Sequence, residues 1–300
     1  METNYHNPVL LKESVDGLNI VENGIYVDVT FGGGGHSREI LKRLGSDGAL
    51  FAFDQDEEAL NNTIEDNRFT LINENFRYIK QFLKFYGIRK VNGILADFGV
   101  SSHQFDKAER GFSTRFDADL DMRMSTRNKK SAYEVVNSYS YDDLRKVLFR
   151  YGDLRPADAM AKTIVECRVN APIKTTVDLK KVLKEYLPKF RENKILAQVY
   201  QAIRIEVNQE LVAIEEFLLQ TPDIMDEGGR LSLISYHSLE DRLVKRFIRS
   251  GTFSGETEKD FYGNIDVPFK KVGGLIVPSA SEIAKNNRAR SARLRIAERI

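Results

Sequence analysis

Hydrophobic and polar positions alternate in two distinct rhythms along this chain. In the first third, short apolar runs at 25–29, 49–53, 70–73 and 91–96 are separated by helical spacing at 37–44, 57–65 and 77–86. Short apolar strands alternating with helices predict a parallel sheet with right-handed crossovers. After Ser102 the rhythm changes. Residues 106–128 are charged and irregular, and the stretch from 131 to 220 reads as helices. Ser131-Ala-Tyr-Glu134 has the form of a capping box, Ser140 of an N-cap, and Pro156 of a first helical residue. From 194 to 220 apolar residues recur at helical spacing (Ile195, Val199, Ile203, Val207, Leu211, Ile214, Leu218), predicting one long amphipathic helix that stops before Pro222. Strand-like segments resume at 231–236, 275–277 and 293–296, with a helix at 238–249. The pattern predicts an α/β domain formed by 1–108 and 205–300, interrupted by an all-helical insertion at 109–204.

Between the first strand and first helix lies Asp28-Val-Thr-Phe-Gly-Gly-Gly-Gly-His-Ser37. Four consecutive glycines carry a heavy entropic cost, and a strand-to-helix loop built of them brings backbone N–H groups close to a ligand. The spacing excludes two ligand classes. A phosphate-binding loop needs Lys-Ser/Thr where His36-Ser37 stands, and neither glycine register completes a dinucleotide fingerprint, because Ser37 and Arg38 occupy the third glycine positions. A cationic ligand suits the acids better. Asp28 precedes the loop and Asp54, ending the second strand, can accept both hydroxyls of a ribose, so S-adenosylmethionine is the ligand these residues favour over NAD(P).

Composition narrows the class further. The chain has 300 residues, net charge +1 and a single cysteine, Cys167. That leaves no intrachain disulfide and no cysteine-based zinc site. Asp117, Asp119 and Asp121 mimic the start of a calcium loop, but Met122 and Asn128 replace its glycine and glutamate, so no metal is expected. No apolar run approaches a membrane span, and a cytoplasmic protein is the expectation. Residues 281–300 hold six Lys/Arg against Glu282 and Glu298, a local patch suited to a phosphate backbone.

Eight ordered stretches carry a resemblance. They are His6-Asn-Pro-Val-Leu-Leu-Lys-Glu13, the Asp28–Ser37 loop, Gly93-Ile-Leu-Ala-Asp-Phe-Gly-Val-Ser-Ser102 and Glu109-Arg-Gly-Phe-Ser113. Leu120-Asp-Met-Arg-Met124, Gln201-Ala-Ile-Arg-Ile-Glu-Val-Asn208, Ser235-Tyr-His-Ser-Leu-Glu-Asp-Arg242 and Arg288-Ala-Arg-Ser291 complete the set. Over nearly all its length the chain resembles the RsmH (MraW) family of small-subunit ribosomal RNA methyltransferases. The resemblance implies a class I, Rossmann-like, S-adenosylmethionine-dependent fold with a helical insert, and N4-methylation of a decoding-region cytidine in 16S rRNA of the small ribosomal subunit. By motif it implies a cofactor site of Gly34, Gly35, His36, Asp54, Phe76, Asp97 and Gln104, to which the charge of the loop adds Asp28. The candidates near the transferred methyl are Asp97, Ser101 and Ser102, with His237 from the loop after the 231–236 strand; for Asp97 cofactor contact is favoured and acceptance of a hydrogen bond from the amine stays open. Arg288, Arg290 and Arg293 are the expected RNA contacts. The chain departs from the family's pattern at His103, Asp158, Ala159 and Asn287. A non-catalytic RNA-binding assembly factor that senses S-adenosylmethionine is the alternative.

Overall fold

A computed structural model describes residues 8–254 and 267–300, apart from the side chains of Ser102 and His103. The chain forms two compact units, Met1–Gly99 with Leu211–Ile300, and Val100–Glu210.

The first unit carries strands β1 (Ile25–Asp28), β2 (Ala49–Phe53), β3 (Phe69–Ile72), β4 (Val91–Asp97), β5 (Met225–Ser235), β6 (Phe269–Ile276) and β7 (Arg293–Arg299). They form a seven-stranded sheet in the order β3-β2-β1-β4-β5-β7-β6. The pairs from β3 to β5 are parallel, and β7 runs antiparallel to both its neighbours. This is the class I sheet expected from the resemblance. Alternate residues of each strand feed opposite faces. Val27, Phe51, Phe53, Ile94, Leu231 and Leu233 join one cluster with Phe217, Val244 and Phe247, while Tyr26, Leu50 and Leu95 pack on the other face with Val15, Ile40 and Leu44.

The helices of this unit are α1 (Leu11–Gly17), α2 (Gly35–Arg43), α3 (Ile79–Phe85), α10 (Glu210–Ile224), α11 (Ser238–Ser250) and α12 (Ala280–Lys285). Helices α1 and α12 lie outside those the sequence predicts, and two expected helices differ from the sequence reading. The helix expected at 57–65 is a 3-10 helix, Glu57–Asn62, capped by the Asp56 side chain. The long helix expected at 194–220 is broken: Gln209 takes a left-handed conformation (φ 51°) that ends one helix, and α10 then continues past Pro222. Proline there leaves the Leu218 carbonyl without its usual amide donor, and the Thr221 hydroxyl donates to it instead (2.7 Å).

The second unit holds α4 (Ser102–Asp106), α5 (Ala132–Ser138), α6 (Tyr141–Gly152), α7 (Ala157–Asn170), α8 (Thr176–Val182) and α9 (Glu192–Asn208). Capping boxes at Ser131/Glu134 and Thr175/Asp178 start α5 and α8, and Ser140 caps α6. Pro156 sits at the N-cap of α7 rather than its first turn. Among the described residues the only extended pairing here is an isolated bridge, Asp119 to Thr175. The end of α9 organises the irregular segment before α5. Asn208 donates to the Met122 carbonyl and accepts from the Met124 N–H, both 2.7 Å, holding Met122 at φ 56°. Asp121 is bound by Arg123 (2.7 and 2.8 Å), and Asp117 accepts from the Val177 N–H. No helix among the described residues is long and apolar enough to cross a membrane.

Candidate cofactor and active site

Strand order reverses between β1 and β4, and at such a switch point the carboxyl ends of an α/β sheet open into a crevice. Asp28 ends β1 and Asp97 ends β4. Thr30 ties them: its N–H donates to Asp28 Oδ1 (3.1 Å) and its hydroxyl accepts the Asp97 N–H (2.6 Å). Asp28 is fully buried, and its other oxygen accepts the Ser37 hydroxyl (2.7 Å). Both oxygens are thus committed to bracing the glycine loop. Asp28 acts on a ligand through that loop and through its charge.

Gly34 caps α2 at φ 75°, where an added Cβ would lie 2.8 Å from the Phe31 ring. At Gly35 the same atom would meet Pro8 Cγ at 2.1 Å, so side chains are excluded at the helix N-terminus on steric grounds. Asp54 reaches across from the end of β2. Its Oδ2 accepts the Gly32 N–H (2.7 Å) and its Oδ1 the Asp56 N–H (2.8 Å). Each oxygen keeps a lone pair for a further donor, and the residue is partly exposed.

The loop after β3 completes this side. Asn73 donates to the Asp54 carbonyl (2.9 Å) and Asn75 to the Gln55 side chain (2.8 Å). Phe76 comes next, packed edge-on against Phe217 (5.5 Å) and tilted on Phe98 (5.9 Å), yet partly exposed. Asn62 and Arg38 brace the loop by donating to the Gly32 and Gly33 carbonyls. Thr30, Asn62, Asn73 and Asn75 were absent from the sequence-based set, because their roles depend on partners brought by other strands; the Asn75 cap before a helical turn was the one local signal.

On the β4 side Asp97 is partly exposed, and its Oδ1 accepts the Tyr236 hydroxyl (2.7 Å). His36 is buried, with Nε2 3.2 Å from the Val9 carbonyl, so its ring pins the segment before α1 to the loop. Burial depresses its pKa against the pull of Asp97. His237 caps α11: its Nδ1 accepts the Glu240 N–H (3.4 Å), and its Nε2 lies 3.0 Å from Glu240 Oε1. Ser101 and Gln104 belong to the second unit, where Gln104 is buried. Gln104 Oε1 accepts the Ser101 N–H and the Ser101 hydroxyl accepts the Gln104 N–H, a reciprocal cap on α4. The Ser102 side chain lies outside the described residues, as do His6 and Asn7 of the first motif. In the basic segment Arg290 is exposed and Arg288 partly so, while Arg293 pairs with Asp241 (3.0 Å) and keeps half its side chain exposed.

The electrostatics of the crevice are lopsided. Burial pushes the carboxyls of Asp28, Asp54 and Asp97 each up to about 6. Among the described residues none of the three has a lysine or arginine partner. Uncompensated buried carboxylates repel phosphate and favour a cation. A ligand with a sulfonium, an ammonium, a ribose and an adenine matches this set: anionic charge beneath the loop, spare acceptors on Asp54, and an aromatic surface at Phe76.

A model of the MraW methylase family matches residues 3–300. A ribosomal RNA small subunit methyltransferase H from Christiangramia forsetii is 69% identical over 296 residues, covering 99% of this chain and 98% of that protein. The same-named protein of Flavobacterium johnsoniae is 68% identical over 296 residues, with coverage of 99% and 98%. That of Flavobacterium psychrophilum is 63% identical over 290 residues, with coverage of 97% and 100%.

Proposed function

The chain belongs to the MraW methylase family, which makes it an S-adenosylmethionine-dependent ribosomal RNA methyltransferase, and we propose that its acceptor is N4 of a decoding-region cytidine in 16S rRNA of the small subunit. The observation that carries the reading of the site is the triad of cation-free carboxylates around a side-chain-excluding glycine loop. When bound, S-adenosylmethionine supplies a methyl group on a positively charged sulfur. Asp54 would accept the ribose hydroxyls with its spare lone pairs, and Phe76 would offer its ring to the adenine. Asp97 would contact the methionyl part and also accept a hydrogen bond from the amine. The cytosine amine is a poor nucleophile, because its lone pair is delocalised into the ring. An acceptor that orients it and takes its proton during or after transfer lowers the barrier. Methylation at C5 instead calls for a cysteine nucleophile. The sole cysteine, Cys167, stands in the last turn of α7 in the helical unit, without a nucleophile motif.

The test is to incubate the protein with labelled S-adenosylmethionine and small subunits lacking the modification, then map the label. Incorporation at N4 of one cytidine supports the proposal. Label on a ring carbon or a ribose overturns the N4 assignment, and tight donor binding without incorporation favours a sensor of the donor.

Two further outcomes are expected. Affinity for a non-reactive donor analogue, with an amine in place of the sulfonium, should rise from pH 5 to 7 and level off above. A cation prefers ionised acids, so binding below about pH 6 releases protons, and each carboxylate that must ionise costs about tenfold at pH 5. In the ligand-free protein these three carboxyls act in the opposite sense. They bind protons more tightly than in the unfolded chain, so the stability they contribute is lost as pH rises from about 4 to 6, against the opposite contribution of ion-paired acids such as Asp66. Calorimetry across this range tests both, and a flat affinity would separate these acids from the donor's charges.

Replacing Arg288, Arg290 and Arg293 together by alanine should weaken binding to 16S rRNA fragments and reduce the slope of log K against log salt by about two. Three phosphate contacts would give slightly more, but the ion pair of Arg293 with Asp241 discounts one of them. An unchanged slope in filter binding at several salt concentrations would remove this segment from the RNA interface.

A further inference from the structure

We propose that Tyr236 is the positioning residue for Asp97, fixing one carboxylate oxygen so that the other is presented to the acceptor amine. The inference rests on the reading of Asp97 as amine acceptor. Tyr236 is the first residue beyond β5, which pairs with β4 in the register Asp97 to Ile234. Its hydroxyl donates to Asp97 Oδ1 at 2.7 Å, while the Asp97 backbone N–H is taken by Thr30. Asp97 Oδ2 receives no hydrogen bond from any described residue. The terminal torsion of an aspartate is broad, so a carboxylate left alone samples many orientations. One short hydrogen bond from a fixed phenol removes that freedom before the substrate arrives.

The phenol is itself fixed at both ends. Its backbone N–H donates to Glu240 Oε2 (2.8 Å), the buried carboxylate that also caps α11. Its ring packs against the cluster of Val9, Leu10, Ile234, Ala289 and Leu294. The opening segment, the strand end before α11 and the Arg-Ala-Arg segment therefore meet at one ring, whose hydroxyl ends on Asp97. Gly99 lies beside the ring at φ 112°, a backbone conformation that L side chains rarely adopt, and the space between them is an ordinary van der Waals contact (3.4 Å from a Cβ built there to the Tyr236 ring).

Tyr236 is a donor here and not the base. Burial, with Asp97, Glu240 and Glu282 nearby, holds its pKa well above that of a free tyrosine, so the hydroxyl keeps its proton at working pH. The groups that set the charge state of Asp97 are His36 from α2, Tyr236, Asp28 from β1 and Glu240 from α11. Of these, His36 and the tyrosine hydroxyl favour the ionised form, while Asp28 and Glu240 oppose it. Removing the hydroxyl must therefore raise the Asp97 pKa.

The test is Tyr236→Phe, which keeps the packed ring, measured in the full-length protein. Single-turnover methyl transfer to unmodified small subunits should fall about tenfold or more at pH 7, the loss expected for one hydrogen bond to a charged group. The acidic limb of the rate profile should move up by about one pH unit, while affinity for the donor analogue stays within about threefold. A purely structural loss would lower the rate without moving that limb. In an Asp97→Asn background the same substitution should add almost nothing, because both act through one carboxylate. An unmoved limb with wild-type rate in Tyr236→Phe, alongside a slow Asp97→Asn, would overturn the inference. An Asp97→Asn protein as fast as wild type would instead overturn the reading beneath it.

Discussion

Asp97→Asn is expected to slow methyl transfer to small ribosomal subunits by about 10²–10⁴-fold, the range for loss of a positioned proton acceptor. Donor affinity should fall less than tenfold. The asymmetry comes from the geometry. The amide oxygen of asparagine still accepts the Tyr236 hydroxyl, so the side chain keeps its place. The charge and the ability to take a proton disappear, and the amide NH₂ then faces the amine as donor against donor. Burial holds the Asp97 carboxyl at about 6, close enough to neutrality to take and release a proton near pH 7. Folding should not suffer, because the substitution removes a carboxylate whose ionisation burial opposes. Single-turnover kinetics at saturating donor, with analogue affinity measured in parallel, separate the two effects. A variant weakened only in donor affinity would assign Asp97 wholly to holding the methionyl group.

How much of this was legible before the structure depends on where each signal lies. The strands of the parallel sheet were readable because both faces are buried, which leaves continuous apolar runs such as Ala49–Phe53. The glycine loop was readable because side chains are excluded there by Phe31 and Pro8. Local propensity could not show the break at Gln209, since the apolar spacing runs on across it; α9 serves the helical unit and α10 the sheet, so one periodic segment feeds two cores. Histidines were the least legible residues. His36 and His237 both stand where chemistry would put an imidazole, yet one ring holds a backbone carbonyl and the other caps a helix. Tyr236 gave no sequence signal as a partner of Asp97, because the contact joins residues 139 positions apart. Asp28 shows the same limit from the other side. Its place at the strand end was evident, but not that Thr30 and Ser37 would occupy both its oxygens.

Asp54→Asn is expected to weaken donor binding at least about 100-fold, equivalent to about 2.7 kcal/mol. In the native protein the carboxylate accepts from Gly32 and Asp56 and retains lone pairs for two ribose hydroxyls. An asparagine has one acceptor oxygen and one NH₂. Whichever way it turns, the NH₂ meets either the Gly32 or the Asp56 N–H, so one backbone bond is lost and one ribose hydroxyl faces a donor. Two effects then oppose each other in the ligand-free protein. Leaving a backbone N–H facing the amide NH₂ costs about 1–3 kcal/mol, whereas removing a carboxylate pushed up to about 6 relieves a burial penalty of about 3 kcal/mol at pH 8. Ligand-free stability should therefore change little while the thermal shift induced by donor disappears. At a donor concentration 100 times Kd the native protein gains about 2.7 kcal/mol, and a variant bound 100-fold more weakly gains about 0.4 kcal/mol. A ribose-binding Asp54 requires this contrast between an unmoved ligand-free Tm and a lost donor-induced shift. A large fall in ligand-free Tm with the donor-induced shift retained would instead mark Asp54 as a brace for the glycine loop alone.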